Sequence, residues 1–356
     1  MADSPRADLA LVASAAEWDA CLRELDVAHF LQSSTWAGFK ASYGWQPEFW
    51  RLCRGGLPMA YASVLSRCPA HIPLALAYVP RGPLLVERSE SSLAAVLEGL
   101  ERLARERRYL YLKVDPDIWD EEVSAWAGPL LRARGWQPGE QIQFRNTVTL
   151  DIEAPDDVLL ARMKQKTRYN ISLASRRGVT VEQASREDLR LLYGLYVETA
   201  VRDGFIVRPR SYYERLWASL LDADMAGAFL ARQDSRLLAG LVAVAYGRTT
   251  WYFHGASADE GRNLMPAYLL QWHAIKWGRA RGCRVYDMWG APETEDENDP
   301  MAGLLRFKLG FGGRLRRGLG AWDYSPFPAL YRAYRYAAPR LVGLRRRVRS
   351  RTQRYE

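Results

Sequence analysis

The spacing of apolar residues along this chain switches between a period of two and a period of about 3.6, and the order of the switches occurs twice. In the first half, "PEFWRLCRGGLPMAYASVLSR" predicts two strands around a turn at Arg54-Gly55-Gly56. The apolar run "LALAYVPRGPLL" follows, then "SSLAAVLEGLERLARERR" with helical spacing, then the strand-like "YLYLKVDPD". In the second half, "GAFLARQDSRLLAGLVAVAYGRTTWYFHGAS" predicts a strand meander turning at Asp234-Ser235, "PAYLLQWHAIKWGRARG" a helix and "CRVYDMWGAP" the next strand. Two helices precede each meander, "EWDACLREL" and "SSTWAGFKASYG" before the first, "DLRLLYGLYVETAVRDG" and "SYYERLWASLLD" before the second. The last strand of each unit ends on an acid, Asp115 or Asp287.

The order α-α-β-β-β-α-β, repeated, predicts an α/β protein with mixed sheets, and a length of 356 residues is more than one hydrophobic core usually serves. That order resembles the GNAT-type acyltransferase fold, in which a mixed sheet splays open to admit an acyl donor, so two tandem GNAT-like domains are expected. An acetyl-CoA enzyme of this type needs a glycine-rich loop entering a helix, roughly R/Q-x-x-G-x-G/A, whose backbone N–H groups hold pyrophosphate. The corresponding segments here are "SADEGRNLMPAY", with one glycine and two acids, and "LVERSESSLAAV", with no glycine. An acetyl-CoA cradle is therefore disfavoured in both halves.

Composition narrows the class further. Apolar residues make up 48% of the chain, with 13 Trp and 19 Tyr, which belongs to a folded globular protein rather than a disordered or fibrous one. Cys21, Cys53, Cys68 and Cys283 form no C-x-x-C pair, and His29, His71, His254 and His273 no H-E-x-x-H pattern, so neither a zinc site nor a disulfide framework is expected. The acid-rich loop "ETEDEND", Glu293 to Asp299, lacks the alternating ligands and central glycine of an EF-hand and reads as a solvated loop, so no metal is expected. Asp3 and Asp8 stand where a signal peptide needs a basic region, and no apolar run reaches membrane-spanning length, so a cytoplasmic protein is expected. Of the formal charge of +9, most lies between Pro326 and Glu356, where nine Arg face one acid. Such a segment can meet RNA phosphates or anionic lipid, or simply be solvated.

One further segment, "DDVLLARMKQKTRYNISLASRRG", predicts a single helix opening the second domain, with acids in its first turn and Gly178 as its stop. Leu159, Leu160, Met163 and Ile171 form an apolar side, and Arg162, Lys164, Lys166, Arg168, Arg176 and Arg177 a cationic side.

Five stretches, "FLQSSTWAGFK", "YVPRGPLL", "MKQKTRYNISLASRRGV", "FHGASADEGRNLMPAYLLQWHAIKWGRARGCRVYDMWG" and "GLLRFKLGFGG", carry a resemblance that runs nearly end to end. In that order they resemble the Fem-type (FemABX) aminoacyltransferases, which add amino acids from aminoacyl-tRNA to the stem peptide of peptidoglycan precursors and are built from two GNAT-like domains. The closest resemblance is to compact FemX-like members, because no helical-hairpin arm follows Gly178. The resemblance implies a first domain over residues 1–150 that binds the acceptor precursor, a second over 151–317 that carries the transfer lysine, and a basic segment over 318–356 that returns to the first. It implies that Lys308 lies at the aminoacyl-transfer site, where a fixed ammonium would stabilise the charge that develops on an attacked ester carbonyl. The competing reading is a solvated lysine on an edge strand. Phe307 beside it would be core or a stacking platform for the terminal adenosine.

Lys40 and Arg208 match positions that in the family hold phosphates of the acceptor, with Arg210 close enough to compete for that assignment. Tyr212 and Tyr252 would face the same cleft and donate phenolic hydrogen bonds, or pack as ordinary amphipathic residues. Asp115 is favoured over Asp287 as the acid that accepts or holds a proton of the attacking amine. "RGP" at Arg81 to Pro83 is expected to fix a backbone path beside the cleft rather than carry chemistry. Lys164, Lys166 and Arg168 have tRNA phosphate as a candidate partner. The function expected is tRNA-dependent aminoacyl transfer to UDP-MurNAc-pentapeptide or lipid II. It needs no cofactor beyond the aminoacyl-tRNA co-substrate, proceeds by direct attack, and takes any lipid-linked acceptor at the inner membrane face. The rival readings are a GNAT-like N-acyltransferase using acyl-CoA or an acyl carrier, and a non-enzymatic RNA- or membrane-surface module.

Overall fold

The computed structural model describes residues 8–69 and 73–337. In chain order the elements are β1 (Asp8–Leu11), α1 (Ala15–Arg23), α2 (Ser34–Ala41), β2 (Gln46–Arg54), β3 (Leu57–Arg67), β4 (Leu76–Val79), β5 (Leu84–Leu85), α3 (Glu90–Glu106), β6 (Tyr111–Val114), α4 (Gly128–Ala133), β7 (Gln137–Pro138) and β8 (Thr147–Asp151). There follow α5 (Asp156–Arg162), α6 (Gln165–Arg176), β9 (Val179–Gln183), α7 (Leu189–Asp203), α8 (Arg210–Asp222), β10 (Ala226–Gln233), β11 (Arg236–Tyr246), β12 (Thr249–Ser257), α9 (Pro266–Ala280), β13 (Val285–Asp287), α10 (Ala302–Leu309), β14 (Arg314–Arg316) and β15 (Trp322–Tyr324).

The strands form two mixed sheets, ordered β1-β2-β3-β4-β6-β15-β7, with β5 paired to β3, and β14-β8-β13-β12-β11-β10-β9. Each sheet is antiparallel except at one place, where β4 runs parallel to β6 and β12 parallel to β13. The predicted duplication is therefore present as two sheets with the same internal order, each backed by the helix that crosses between its parallel strands. In α3, Ser89 caps the N-terminus by accepting from the Ser92 N–H, and Leu93, Val96, Leu97, Leu100, Leu103 and Ala104 recur at helical spacing and are buried. Burying one such Leu or Val contributes about 1.5–3 kcal/mol, so the five of them fix the helix to the first sheet far more firmly than propensity could. α9 does the same for the second sheet with Leu270, Ala274 and Ile275.

The halves are not separate bodies. Phe30, Leu31, Trp36 and Phe39 from the first share one buried cluster with Tyr213, Trp217, Val242 and Trp251 from the second. The Phe30 ring lies 5.1 Å from that of Trp251 and 5.0 Å from that of Phe253, so aromatic edge and face contacts set the angle between the sheets. The chain also crosses back. β8 belongs to the second sheet, whereas β15, close to the end of the described residues, pairs with β6 and β7 of the first.

The single helix expected over residues 156–178 is two. α5 ends at Arg162 and α6 begins at Gln165, because Met163 and Lys164 take extended backbone angles with ψ of 152° and 146°. No proline or glycine marks the break; a tertiary contact makes it. The Lys164 N–H donates to the Gly310 carbonyl at 2.9 Å, and a Cβ at Gly312 would come within 2.7 Å of the Arg162 carbonyl oxygen. Only glycine, here at φ +84°, lets that loop approach so closely, and the helix gives way to it. The apolar side expected of this segment is buried at Leu159, Met163 and Ile171. β9 starts at Val179, directly after Gly178.

Among the described residues no helix is long and apolar enough to cross a membrane. Of the basic segment, residues 328–337 are helical, and 338–356 lie outside the described residues.

Candidate functional site

Parallel neighbours in each sheet separate after a short paired stretch. β12 and β13 pair from Thr249–Val285 to Trp251–Asp287 and then diverge, while β4 and β6 pair from Leu76–Tyr111 to Val79–Val114 and then diverge. Asp287 and Asp115 thus stand at the same point in the two halves, where the sheet opens.

In the second half the opening is a cavity of about 350 Å³, walled by Tyr252 to Ser257 of β12, Met288 to Gly290 after β13, Tyr196 and Arg202 of α7, and Phe307 and Lys308 of α10. Lys308 is on a helix, not on an edge strand, and is buried at 3% exposure, which overturns the solvated reading. Its Nζ donates to the carbonyls of Trp289 at 2.6 Å and Gly290 at 2.5 Å. Trp289 adopts a left-handed backbone, φ +55°, a strained conformation for so large a residue, and the turn it makes presents both carbonyls to the lysine. Burial pushes the Lys308 ammonium down to about 7, opposed by the nearby Asp287 carboxylate. An ammonium has three N–H donors; with two held by backbone, the third is free for whatever occupies the cavity.

Tyr252 sits over this lysine, its ring centroid 5.9 Å from Nζ. The phenol reaches there because residue 255 is glycine: a Cβ would fall 1.9 Å from the Tyr252 hydroxyl. Phe307 packs edge-on to Tyr268 and Phe311 at 4.9 and 5.2 Å while also lining the cavity. His254, a cavity residue not singled out in the sequence, accepts from the Trp217 indole N–H at 3.1 Å, and burial pushes it down to about 3, so it is neutral at any physiological pH.

A second cavity, of about 310 Å³, gathers Lys40, Arg208 and Tyr212, and adds Arg67. The three cations rest on aromatic faces instead of acids: Lys40 lies 5.5 Å from the Trp45 ring centre, Arg67 4.7 Å from it, and Arg208 4.7 Å from that of Tyr212. No Asp or Glu lines this cavity. Burial, then the positive charges of Arg208 and Arg67, push Lys40 down to about 8. Three mutually repelling, partly desolvated cations are what a pyrophosphate would relieve. Arg210 points elsewhere, into an ion pair with Glu214 at 3.4 Å, so Arg208 is the arginine that faces Lys40. Tyr252 and Tyr212 do not share a cleft as expected; Tyr252, on β12, lines the first cavity and Tyr212, on α8, the second.

The two cavities adjoin. Phe144 lines the first, Ile142 and Gln143 the second; Phe205 lines the first, Arg208 the second. The segments 142–144 and 205–208 are thus shared walls.

Between the cavities lies a residue whose side chain the sequence reading set aside. Arg81 is 4% exposed and has a left-handed backbone, φ +50°. Its guanidinium lies 4.0 Å from Asp115 and 3.8 Å from Asp117, donates to the Phe144 carbonyl at 2.6 Å, and stacks near Trp119 and Trp289, 5.4 and 5.7 Å from their ring centres. "RGP" therefore does more than set a backbone path; it delivers a buried cation to the junction. Asp115, favoured from sequence as a proton acceptor, lines neither cavity. It is 1% exposed, held by Arg81 and by the Tyr78 hydroxyl at 3.3 Å, with burial raising its pKa against the pull of Arg81. Asp287 is the acid whose charge reaches Lys308, and it accepts from the Thr147 hydroxyl and from the Trp289 N–H at 2.7 Å. Duplicated strand-end acids were legible; that a single arginine would be stabilised by both, Asp115 first, was not.

On the α5–α6 surface, Lys164 and Lys166 are exposed, whereas Arg168 turns back to donate to the Met163 carbonyl and Arg162 pairs with Asp151 at 3.3 Å. Of the six expected cations, Arg162 and Arg168 are thus engaged by neighbouring groups, Arg176 lies over the Tyr169 ring at 5.7 Å, and Lys164, Lys166 and Arg177 are exposed. At the entrance to α9, Asp259 pairs with Arg202 at 2.9 Å and Glu260 with Arg236 at 2.6 Å, so acids occupy the place of an acetyl-CoA pyrophosphate cradle.

Comparison with known proteins gives the following. The model of the FemAB family matches residues 13–134, 131–225 and 224–338. A lipid II:glycine glycyltransferase of Staphylococcus aureus is 25% identical, over 92% of this chain and 95% of its own length. A crystal structure of FemX superposes with a TM-score of 0.81 at 24% identity, covering 92% of this chain and 99% of that one. A tandem GNAT protein from the clavulanic acid biosynthesis pathway superposes with a TM-score of 0.50 at 14% identity, covering 90% and 98%. Two GNAT-like units in tandem is therefore the fold.

Proposed function

The chain belongs to the FemAB family, and from that premise we propose that it is an aminoacyltransferase of peptidoglycan bridge synthesis, moving an amino acid from aminoacyl-tRNA to the stem-peptide amine of UDP-MurNAc-pentapeptide or lipid II. The observation that carries this reading is Lys308: a buried ammonium with two donors fixed and one free, in a cavity adjoining a pocket of three cations. The relative named a lipid II:glycine glycyltransferase supports it.

In this reading the first half holds the acceptor. Lys40, Arg67 and Arg208 take its pyrophosphate, and the stem peptide passes over Ile142 to Phe144 towards Lys308. The aminoacyl ester enters the Lys308 cavity, with Phe307 and Tyr252 flanking it. The acceptor amine attacks the ester carbonyl; the C–N bond forms, charge develops on the carbonyl oxygen and is met by the third N–H of Lys308, and the C–O bond to the ribose breaks. The proton lost by the amine ends on the departing ribose hydroxyl. A lysine held near 7 can relay it, since its neutral and charged forms are close in energy at working pH. Asp287 steadies the charged form; Asp115, through Arg81, holds the junction. Lys164 and Lys166 would meet tRNA phosphate, and the enzyme works in the cytoplasm, at the inner membrane face when the acceptor is lipid-linked.

Incubation of purified protein with charged total tRNA and either precursor tests the reading. A mass gain of one amino-acid residue that ribonuclease abolishes is expected; no gain with any precursor would sink it.

A further inference from the structure

The large apolar side chains left exposed are not scattered. Of the fourteen among the described residues, Tyr43, Ile142, Phe144, Phe205 and Leu304 line the two adjoining cavities. Ile206, 83% exposed, follows Phe205 in the loop that forms a shared wall, and Val201, 80% exposed, precedes it by one turn. Half of the exposed large apolar side chains thus surround or flank the two adjoining openings; the cavity with Tyr43 and Ile142 is lined by three cations and no acid, and the one with Phe144, Phe205 and Leu304 by Arg202, Lys308 and a single acid, Asp203. A cluster of this kind on a chain of net charge +9 marks an interaction surface.

We propose that this rim rests on an anionic phospholipid bilayer, with Val201 and Ile206 entering the interfacial zone, Tyr43 at headgroup level and the Lys40 cavity open towards the lipid phosphates. The chemistry selects a bilayer over RNA. The outermost residues are aliphatic and offer no face for base stacking, whereas apolar side chains around cations match the boundary between acyl chains and anionic headgroups. In the aminoacyl-transfer reading RNA meets Lys164 and Lys166 instead, which line neither cavity. The proposal rests on the aminoacyl-transfer reading only for its purpose, which is to present the cleft to a lipid-linked acceptor; binding itself needs no acceptor.

The test is co-sedimentation of the full-length protein with vesicles of phosphatidylglycerol and phosphatidylcholine, without substrate, against phosphatidylcholine alone. Binding to the anionic vesicles is expected, and V201S/I206S should weaken it by about tenfold or more, since two aliphatic side chains no longer leave water. Neither residue lines a cavity, so transfer to the soluble nucleotide-linked acceptor should be unchanged. The proposal is overturned if the wild type stays in the supernatant, if the double variant pellets like the wild type, or if the variant instead raises KM for charged tRNA with vesicle binding intact. Because sedimentation is scored without turnover, failure of the aminoacyl-transfer reading would leave this result standing on its own.

Discussion

The two halves open their sheets at the same point and put opposite things there. In the second, β12 runs unbroken past the divergence from Thr249 to Ser257, and the gap beside it is an open cavity with Lys308 at its base. In the first, the corresponding strand is interrupted between β4 and β5 by Pro80 to Pro83, and Arg81 fills the gap and binds Asp115. One buried cation faces a cavity and is held by carbonyls; the other faces carboxylates and is closed in. Duplication supplied the frame, and a four-residue interruption distinguishes the copy whose gap is filled from the copy whose gap is open.

Emptying the filled gap should have the largest effect. Arg81→Met leaves Asp115 buried without its partner and should cost about 3–5 kcal/mol of stability, read as a drop in denaturant midpoint. Asp115→Asn in the same chain should restore part of it; if the double variant is no more stable than the single one, the pair is not what closes the first half. Changing the open gap should act on rate instead. Lys308→Met should lower kcat by about 10²–10³ with a smaller change in KM, the scale seen when one oxyanion donor is removed; an equal rise in KM with kcat intact would make Lys308 a binding residue.

The proton on Lys308 gives a finer probe. With the ammonium as the working form and its pKa at about 7, kcat should fall as pH rises through that value, and the limb should be absent in Lys308→Arg. Stability has the opposite sign. Below about 7 folded and unfolded chains both hold the proton and nothing changes; between about 7 and the ordinary 10.5 only the unfolded chain holds it, so this group's contribution to stability rises with pH. Arg208→Ala should raise KM for either acceptor by about tenfold, the worth of one charge-assisted phosphate contact, and leave KM for charged tRNA alone. Smallest of all, Lys164→Glu with Lys166→Glu should raise KM for charged tRNA a few-fold and steepen no other parameter, checked at two salt concentrations.

Strand and helix order was legible because buried faces impose a period of two or about 3.6 on the sequence. "SSLAAVLEGLERLARERR" and α3 agree to within two residues at each end. The break at Met163-Lys164 was not legible, since it is imposed by Gly310 and Gly312, about 150 residues downstream. Lys308, Lys40, Arg208 and Tyr212 could be singled out through resemblance, and the folding of the halves against each other brings the last three into one cavity. Arg67, His254 and the side chain of Arg81 carry no local signal. Their surroundings come from strands and loops far apart in sequence, and a buried arginine looks in sequence like any other.

The last strand of the first sheet has a bearing on how the protein is made. β15 brings Asp323 within 2.8 Å of Lys113, a lysine 4% exposed on β6. A chain emerging from the ribosome can form β1 to β6 early, but the carboxylate that pairs directly with Lys113 follows some two hundred residues later. The first sheet is therefore completed last although it is begun first. The nascent second half must assemble beside an incomplete neighbour, and β15, made after every strand of the second sheet, closes the first.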